Sequence, residues 1–172
     1  MKKRIALIAL TALVLTACGK ETSSVDIPFS TLSFNSTIED MTEAFGEAEN
    51  TDKSYIGTSY CYSSAYMDKD SEVRYSFDED DKMGSITWLY ESDDGEEIKE
   101  VYNDIHKELE ETYGQSGEIT NDATQMADIW RLPEGNVTLV AVVSSEYNGI
   151  MYTYLSPEHS TSDEDSKKKA DQ

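Results

Sequence analysis

The chain has 172 residues, a length that suits one compact domain or two small modules sharing a core. It contains 14 Lys and Arg against 35 Asp and Glu, for a formal charge of −21. That charge argues against nucleic-acid binding, because few cationic side chains are available to neutralise phosphates. It also argues against adsorption to anionic lipid through the charge of the protein itself.

The N-terminus has the organisation of a secretory signal. Lys2, Lys3 and Arg4 form a cationic start, and residues 5–17 form an apolar run of 13 residues. As a helix this run would rise about 20 Å, which is short of the ~30 Å hydrocarbon core of a membrane. The pattern therefore predicts a signal peptide over residues 1–17 and not a membrane span.

The end of this segment, Leu15-Thr16-Ala17-Cys18, resembles the lipobox of bacterial lipoproteins. The resemblance implies that Cys18 becomes the first mature residue and carries a thioether-linked diacylglycerol, with acyl chains of the palmitate type. Two such chains suffice for stable anchoring, since each buried CH₂ contributes ~0.8 kcal/mol. We therefore expect a lipid-anchored protein on the extracytoplasmic side of the cell membrane. The alternative is an ordinary secretory signal with an accidental cysteine.

Composition divides the remaining chain into three parts. Residues 18–28 are predicted to be a lipidated tether, and residues 29–155 a single folded domain. Residues 156–172 carry no large apolar side chain and are predicted to be a disordered tail. Cys61 is left without a disulfide partner, and its setting indicates a small buried side chain in a strand and not a nucleophile.

Two helices are predicted from capping residues and apolar spacing. The first begins at Ser36, where Ser36 and Glu39 form a capping box, and it ends at Gly46. The second begins after residues 93–95 and ends at Gly114. Its apolar stripe consists of Ile98, Val101, Ile105 and Leu109.

Strands are predicted from alternating apolar and polar residues. Three follow each helix, which predicts an α+β fold of two α-β-β-β units, with the helices packed on an antiparallel sheet. Whether the units arose by duplication stays open. Residues 137–143 are apolar at both alternating positions, which predicts a central strand or one covered on both faces. The predicted strands are 59–66, 72–77, 85–90, 127–132, 137–144 and 149–155.

The run Ile38-Glu39-Asp40-Met41, closed by Phe45-Gly46-Glu47 and followed by three strands, resembles the helix–meander modules of small bacterial lipoproteins of the SmpA/OmlA type. Two such modules in tandem resemble the β-lactamase inhibitor protein fold. The resemblance covers residues 34–155. It implies a protein that acts by binding other proteins through an aromatic-rich sheet face, and it carries no particular binding residue over to this chain.

Acidic clusters at residues 68–72 and 78–81 favour solvated turns over a metal site. The calcium-loop pattern requires a ligand and a glycine where Lys82 and Met83 stand. We therefore expect no metal and no cofactor. Weak cation attraction remains compatible with the charge, so a small-solute or cation-binding lipoprotein stays an alternative.

Catalytic motifs are equally sparse. His106 lies on the second predicted helix with Asp104 and Glu110 as candidate orienting acids, but neither a nucleophile motif nor a glycine-rich loop accompanies it. A surface histidine is the simpler interpretation, and we expect no enzyme and no catalytic residue. An envelope hydrolase that uses acidic residues stays an alternative, because 35 acids always offer a pair.

Aromatic residues are the remaining functional signal, with 11 Tyr, 2 Trp and 4 Phe. Tyr is common at interfaces, and the set is expected to be too large for one core layer. We therefore expect some of these rings on the solvent-facing side of the sheet, where they bind a basic protein or cell-envelope partner. The competing interpretation places all of them in the core, opposite a face of Thr, Ser and Glu. The predicted binding surface consists of Tyr60, Tyr62, Trp88, Trp130, Tyr152 and Tyr154.

Overall fold

The computed structural model describes residues 25–160. Eight strands form one antiparallel sheet and two α-helices pack on one of its faces, which confirms the α+β class. The predicted signal peptide (residues 1–17) and the lipidation site Cys18 lie outside the described residues. In chain order the elements are α1 (Ile38–Phe45), β1 (Asn50–Lys53), β2 (Thr58–Ser64), β3 (Ser71–Phe77), β4 (Met83–Glu91), α2 (Gly95–Tyr113), β5 (Gly117–Asn121), β6 (Gln125–Leu132), β7 (Gly135–Val143) and β8 (Asn148–Leu155).

The sheet consists of two four-stranded meanders joined at its centre. The strand order is β1-β2-β3-β4-β8-β7-β6-β5, so each meander runs from an outer edge to the middle. The last strands of the two meanders, β4 and β8, pair with each other over seven residues, from Ser85 opposite Leu155 to Glu91 opposite Gly149. At the middle of this pairing Thr87 lies opposite Thr153, and their hydroxyl groups are 3.0 Å apart.

The six predicted strands are present, and each begins and ends within two residues of the prediction. Each helix is followed by four strands, however, and not by three. The additional strands, β1 and β5, are the two edges of the sheet. They are short, mostly exposed and poor in apolar residues, so they lack the alternation from which strands are predicted.

The first helix begins one residue later than predicted. Thr37 is the N-cap residue: its hydroxyl accepts from the backbone N–H of Asp40, and the Asp40 carboxylate accepts from the N–H of Thr37. The capping box thus uses Thr37 and Asp40 in place of Ser36 and Glu39. Both helices end as predicted, at Gly46 (φ +82°) and Gly114 (φ +83°), a backbone conformation that glycine adopts without strain.

Each helix is tied at its C-terminal end to a strand of its own meander. The Tyr62 hydroxyl on β2 donates to the carbonyl of Gly46 (3.0 Å), and the Trp130 indole N–H on β6 donates to the carbonyl of Gly114 (2.9 Å). In both cases the donor follows the glycine by 16 residues. These two bonds fix the position of each helix end over the sheet.

The core lies between the helices and one face of the sheet, and it extends beyond the predicted domain at both ends. Ile27 is buried, so the folded part begins inside the predicted tether of residues 18–28. A 3₁₀ helix, Pro157–His159, follows β8 directly, and the hydroxyl of Ser160 accepts from the backbone N–H of Asn136 (2.8 Å). The predicted tail of residues 156–172 is therefore folded up to Ser160. Residues 161–172 lie outside the described range.

We expect Thr37→Ala to lower the free energy of unfolding by about 1 kcal/mol, because it removes the side-chain acceptor that caps α1. Ser36→Ala is the matched control, since the Ser36 hydroxyl accepts only from the N–H of Ser33 in the preceding turn. Urea denaturation of the two variants measures the difference. A larger loss for Ser36→Ala than for Thr37→Ala would contradict this capping arrangement.

Candidate functional site

The predicted aromatic binding surface is wrong, because its rings fill the core. Five of the six side chains are less than 9% exposed, and the sixth, Tyr60, is half-buried. Tyr152 and Tyr154 share a face as alternation requires, and both are buried with their hydroxyl groups 2.7 Å apart. An eight-stranded sheet has a face wide enough for the whole set, so none has to be exposed. The six side chains are Tyr60, Tyr62, Trp88, Trp130, Tyr152 and Tyr154.

The opposite side of the sheet, here called the open face, has no helix over it in residues 25–160. Its small hydroxyl side chains are mostly buried between neighbours and form pairs such as Ser59 with Ser76, whose oxygens are 2.7 Å apart. The competing interpretation, which placed the aromatic rings in the core opposite a face of Thr, Ser and Glu, thus fits much of the open face. The open face consists mainly of Ser59, Cys61, Glu72, Arg74, Ser76, Ser85, Thr87, Leu89, Ala127, Ile129, Thr138, Val140, Val142, Met151 and Thr153.

An apolar patch interrupts this polar face. Met151 on β8 is 43% exposed, and its cross-strand neighbours are Leu89 on β4 and Val140 on β7. Val142 continues the row along β7 and is half-buried. β7 lies between β6 and β8, as its apolar pattern predicted, but its second face is only half-covered in the described residues. The apolar patch consists of Leu89, Val140, Val142, Met151 and Tyr147.

Tyr147 reaches this patch from the turn between β7 and β8. Its ring lies across Gly149, where a Cβ would come within 2.3 Å of the Tyr147 hydroxyl oxygen. Burial, together with the nearby Glu91 carboxylate, raises the pKa of Tyr147, yet 43% of the residue is exposed. Sequence reasoning missed this residue because it lies in a turn. A signal was available, since a glycine two positions later leaves room for a ring to fold back.

Charged groups border the patch on its β3 side. Glu72, which lies opposite Leu89, forms an ion pair with Arg74, and Arg74 also lies 3.9 Å from Asp52 on β1. The thiol of Cys61 lies beside Arg74 in the sheet, is 1% exposed, and has its pKa raised by burial. The prediction of a small buried cysteine in a strand is therefore confirmed. The Arg74 guanidinium on this border therefore lies between two carboxylates, those of Glu72 and Asp52.

His106 is half-buried, and not the surface histidine expected from the sequence. Its Nε2 lies 3.5 Å from Asp128 on β6 and its Nδ1 lies 3.8 Å from Glu110. Asp128 is buried and accepts from the hydroxyl groups of Tyr102 and Ser116 (2.6 Å for Ser116). Burial, with this carboxylate, raises the pKa of Tyr102. The cluster joins α2 to the sheet and lines a cavity of about 290 Å³.

Asp128 was missed by sequence reasoning, although its position contained a signal. It lies two residues before the buried Trp130 on the same strand, at a position whose side chain points toward the core. A carboxylate at such a position requires hydrogen-bond donors, because burying it without them costs several kcal/mol. The structure supplies two donors, Tyr102 on α2 and Ser116 in the segment that follows α2.

The C-terminal turn brings a serine, a histidine and an aspartate together. Ser156 Oγ lies 3.0 Å from His159 Nδ1, and His159 Nε2 lies 3.6 Å from Asp78 Oδ2. The order of the groups is that of a nucleophile, a base and an orienting acid. Ser156 is only 5% exposed, however, and Lys82 also binds this turn through Glu158 (3.3 Å). The contacts hold the C-terminal turn against the loop between β3 and β4.

Backbone hydrogen bonds favour the ionised form of the Asp78 carboxylate in this loop. The backbone N–H of Lys82 and that of Asp80 donate to Asp78 Oδ1 (3.0 and 2.9 Å), and these bonds hold the pKa of Asp78 below its ordinary value. These bonds close the loop between β3 and β4 as a turn, with the Asp78 carboxylate as the acceptor. Within residues 25–160 no group of three or more His, Cys, Asp or Glu is arranged to hold a metal ion.

No helix among the described residues is long and apolar enough to cross a membrane.

No protein-family model matches the chain, and no curated protein sequence matches it. Among solved structures, the fold is similar to a DUF4309 family protein (YjgB) from Bacillus subtilis, with a TM-score of 0.47 and 15% sequence identity. The likeness covers 77% of this chain and 87% of that chain. The resemblance to SmpA/OmlA-type lipoproteins and to the β-lactamase inhibitor protein fold stays a prediction.

The two faces of the sheet should respond oppositely to mutation at adjacent positions. Met151→Glu, on the open face, should change the free energy of unfolding by no more than about 0.5 kcal/mol. Tyr152→Ala, which empties a buried site, should lower it by about 3–5 kcal/mol. Urea denaturation followed by tryptophan fluorescence measures both. Similar losses for the two variants would contradict the assignment of the faces.

Proposed function

We propose that the protein is a lipid-anchored, extracytoplasmic binding module that holds a basic protein of the cell envelope on its open face. The anchor is the diacylglycerol on Cys18, implied by Leu15-Thr16-Ala17-Cys18 and the apolar segment before it. The folded part begins by residue 27, so at most about nine residues separate it from the lipid. Fully extended, such a tether spans about 30 Å.

The main support for a binding role is the apolar patch on the open face. Met151 and Tyr147 are each 43% exposed, and they lie together with half-buried Leu89 and Val140 on a face without a helix. A cluster of exposed apolar side chains within a polar rim is typical of a protein-binding surface. Methionine and tyrosine are favoured there because both present large apolar area.

The charge selects a basic partner. The chain carries a formal charge of −21, and acidic residues such as Glu72 and Glu91 lie at the border of the patch. Complementary charge speeds the diffusional encounter and excludes acidic competitors, so association should slow as the salt concentration rises.

We favour binding over catalysis because both histidine clusters have their polar groups engaged in holding the fold. Asp128 accepts from two hydroxyl groups, and Ser156 is buried next to His159. An envelope hydrolase remains the alternative function. It would require activity that is lost in His106→Ala or His159→Ala while the fold is retained.

We infer further that the chain is built from two structurally equivalent units, each a helix followed by its meander. The matching bonds from Tyr62 to Gly46 and from Trp130 to Gly114 support this, since the members of the two pairs are 68 residues apart. The antiparallel pairing of β4 with β8, the last strand of each meander, at the centre of the sheet is the arrangement that a two-fold axis between the units would produce. The predicted three-strand units become four-strand units in this proposal.

Cys18→Ala should move the protein from the membrane fraction to the soluble envelope fraction or the medium, because the thiol is the attachment point of the lipid. Cys61→Ala is the matched control, since it removes the other cysteine and should leave the protein in the membrane fraction. Metabolic labelling with palmitate should be lost in Cys18→Ala and retained in Cys61→Ala. Equal membrane retention and labelling of the two variants would contradict anchoring through Cys18.

A photo-reactive amino acid at position 140 of the full-length chain in living cells should give a discrete cross-linked product. The same probe at Glu111, exposed on α2 away from the open face, should not. Met151→Glu should abolish the product from position 140 by placing a charge in the apolar contact. Equal products from positions 140 and 111, or a product from position 140 that Met151→Glu leaves unchanged, would contradict a partner on the open face.

A further inference from the structure

A second cavity, here called the aromatic pocket, opens on the helix side of the sheet, away from the open face. It lies between residues 28–31, the end of α1 and strands β2 and β3, and has a volume of about 310 Å³. Phe45, at its mouth, is 40% exposed, which is unusual for a large ring beside a core. Its five aromatic rings are Phe29, Phe45, Tyr62, Tyr66 and Tyr75.

The aromatic rings that line the pocket pack against one another. Phe29 and Tyr66 meet at 64° with their centroids 5.6 Å apart, and Tyr62 and Tyr75 meet at 67° at 5.9 Å. Phe45 stacks on Tyr75 at 18°. Edge-to-face and stacked contacts of this kind are the usual packing of aromatic rings, and here they hold in place the five rings that line the cavity. Such a pocket is already formed before any ligand arrives.

Two of the tyrosine hydroxyl groups are used within the protein. That of Tyr62 donates to the carbonyl of Gly46, and that of Tyr75 lies 3.2 Å from the hydroxyl of Ser30. These bonds fix both rings in place, and they leave the ring surfaces as the main recognition element. No charged side chain is among the residues that line the pocket. An anion would therefore find no cationic partner there.

Carboxylates lie just outside these walls. Glu49 accepts from the backbone N–H (3.0 Å) and the hydroxyl (2.9 Å) of Ser63, a lining residue, and these bonds keep the pKa of Glu49 below its ordinary value. Burial, together with the charge of Glu108 on α2, raises the pKa of Tyr66 to about 12. The pocket thus combines aromatic walls with a negative surrounding potential.

We propose that the aromatic pocket binds a quaternary ammonium group. Such a cation is attracted by the faces of aromatic rings and by the surrounding carboxylates. It carries no N–H, so it loses no hydrogen bond on entering a pocket whose lining offers it no carboxylate. A primary ammonium would lose its bonds to water without replacement. This site is independent of the open face, so either proposal can fail without the other.

The test is an NMR titration of the full-length chain, purified in a nonionic detergent, with choline and with its neutral isostere 3,3-dimethylbutan-1-ol. Choline should shift the ring resonances of Phe45 and Tyr66 and bind roughly tenfold more tightly than the isostere. Tetramethylammonium should bind and methylammonium should bind much more weakly. Equal binding of choline and the isostere would show an apolar pocket only and overturn the proposal, as would no shift with choline.

Variants of Phe45 test whether the cation is bound by the aromatic ring or only by an apolar side chain of similar size. Phe45→Leu keeps an apolar side chain but removes the ring, so choline affinity should fall several-fold, whereas Phe45→Trp should retain it. Tyr55→Leu is the matched control, since Tyr55 is 82% exposed and does not line the pocket. Equal affinities for Phe45→Leu and Phe45→Trp, with both variants folded, would contradict recognition by the ring.

The quaternary ammonium could be a free solute or a lipid headgroup, and vesicles distinguish the two. Phosphatidylcholine vesicles that shift the same Phe45 and Tyr66 resonances, when phosphatidylglycerol vesicles do not, would assign the headgroup. Binding of choline in solution without any effect of phosphatidylcholine vesicles would assign a free solute.

Discussion

The pairing of β4 with β8 is the contact on which the rest of the fold depends. Among the described residues no other pair of strands connects the two meanders, so this pairing converts two four-stranded sheets into one sheet of eight strands. It also brings Trp88 of the first meander next to Tyr152 of the second, so the core becomes continuous across the junction. Neither meander alone offers a face wide enough to bury the aromatic residues of both.

Because the sheet is this wide, its two faces carry different kinds of side chain. Large rings gather under the helices, while small hydroxyl side chains such as Thr87 and Thr153 occupy the middle of the other side. Because side chains alternate along a strand, the two sets cannot exchange without a shift of register. The exposed apolar residues of the open face, Met151 above all, are therefore exceptions within an otherwise polar surface, which is why they indicate binding.

Sequence patterns predict the helices, their glycine ends and the six inner strands, because burial of one face imposes a period on the chain. They miss β1 and β5, which bury little and so have no period. They also misplace the helix cap by one residue, since Thr37 and Ser36 are chemically alike. The larger error concerns the aromatic residues, whose exposure depends on sheet width. That width is set by pairing between residues far apart in the chain, such as Trp88 and Tyr152, and no local pattern encodes it.

The central pairing also bears on the route by which the chain folds. Within each meander, neighbouring strands are joined by short turns, so their contacts form between residues close in sequence. Among the strand pairings in residues 25–160, only that of β4 with β8 requires closing a loop of more than fifty residues, from Glu91 to Gly149. The entropy of that closure grows slowly with loop length, but it is lost before the contacts are gained. The docking of two preformed halves is therefore the step expected to limit the folding rate.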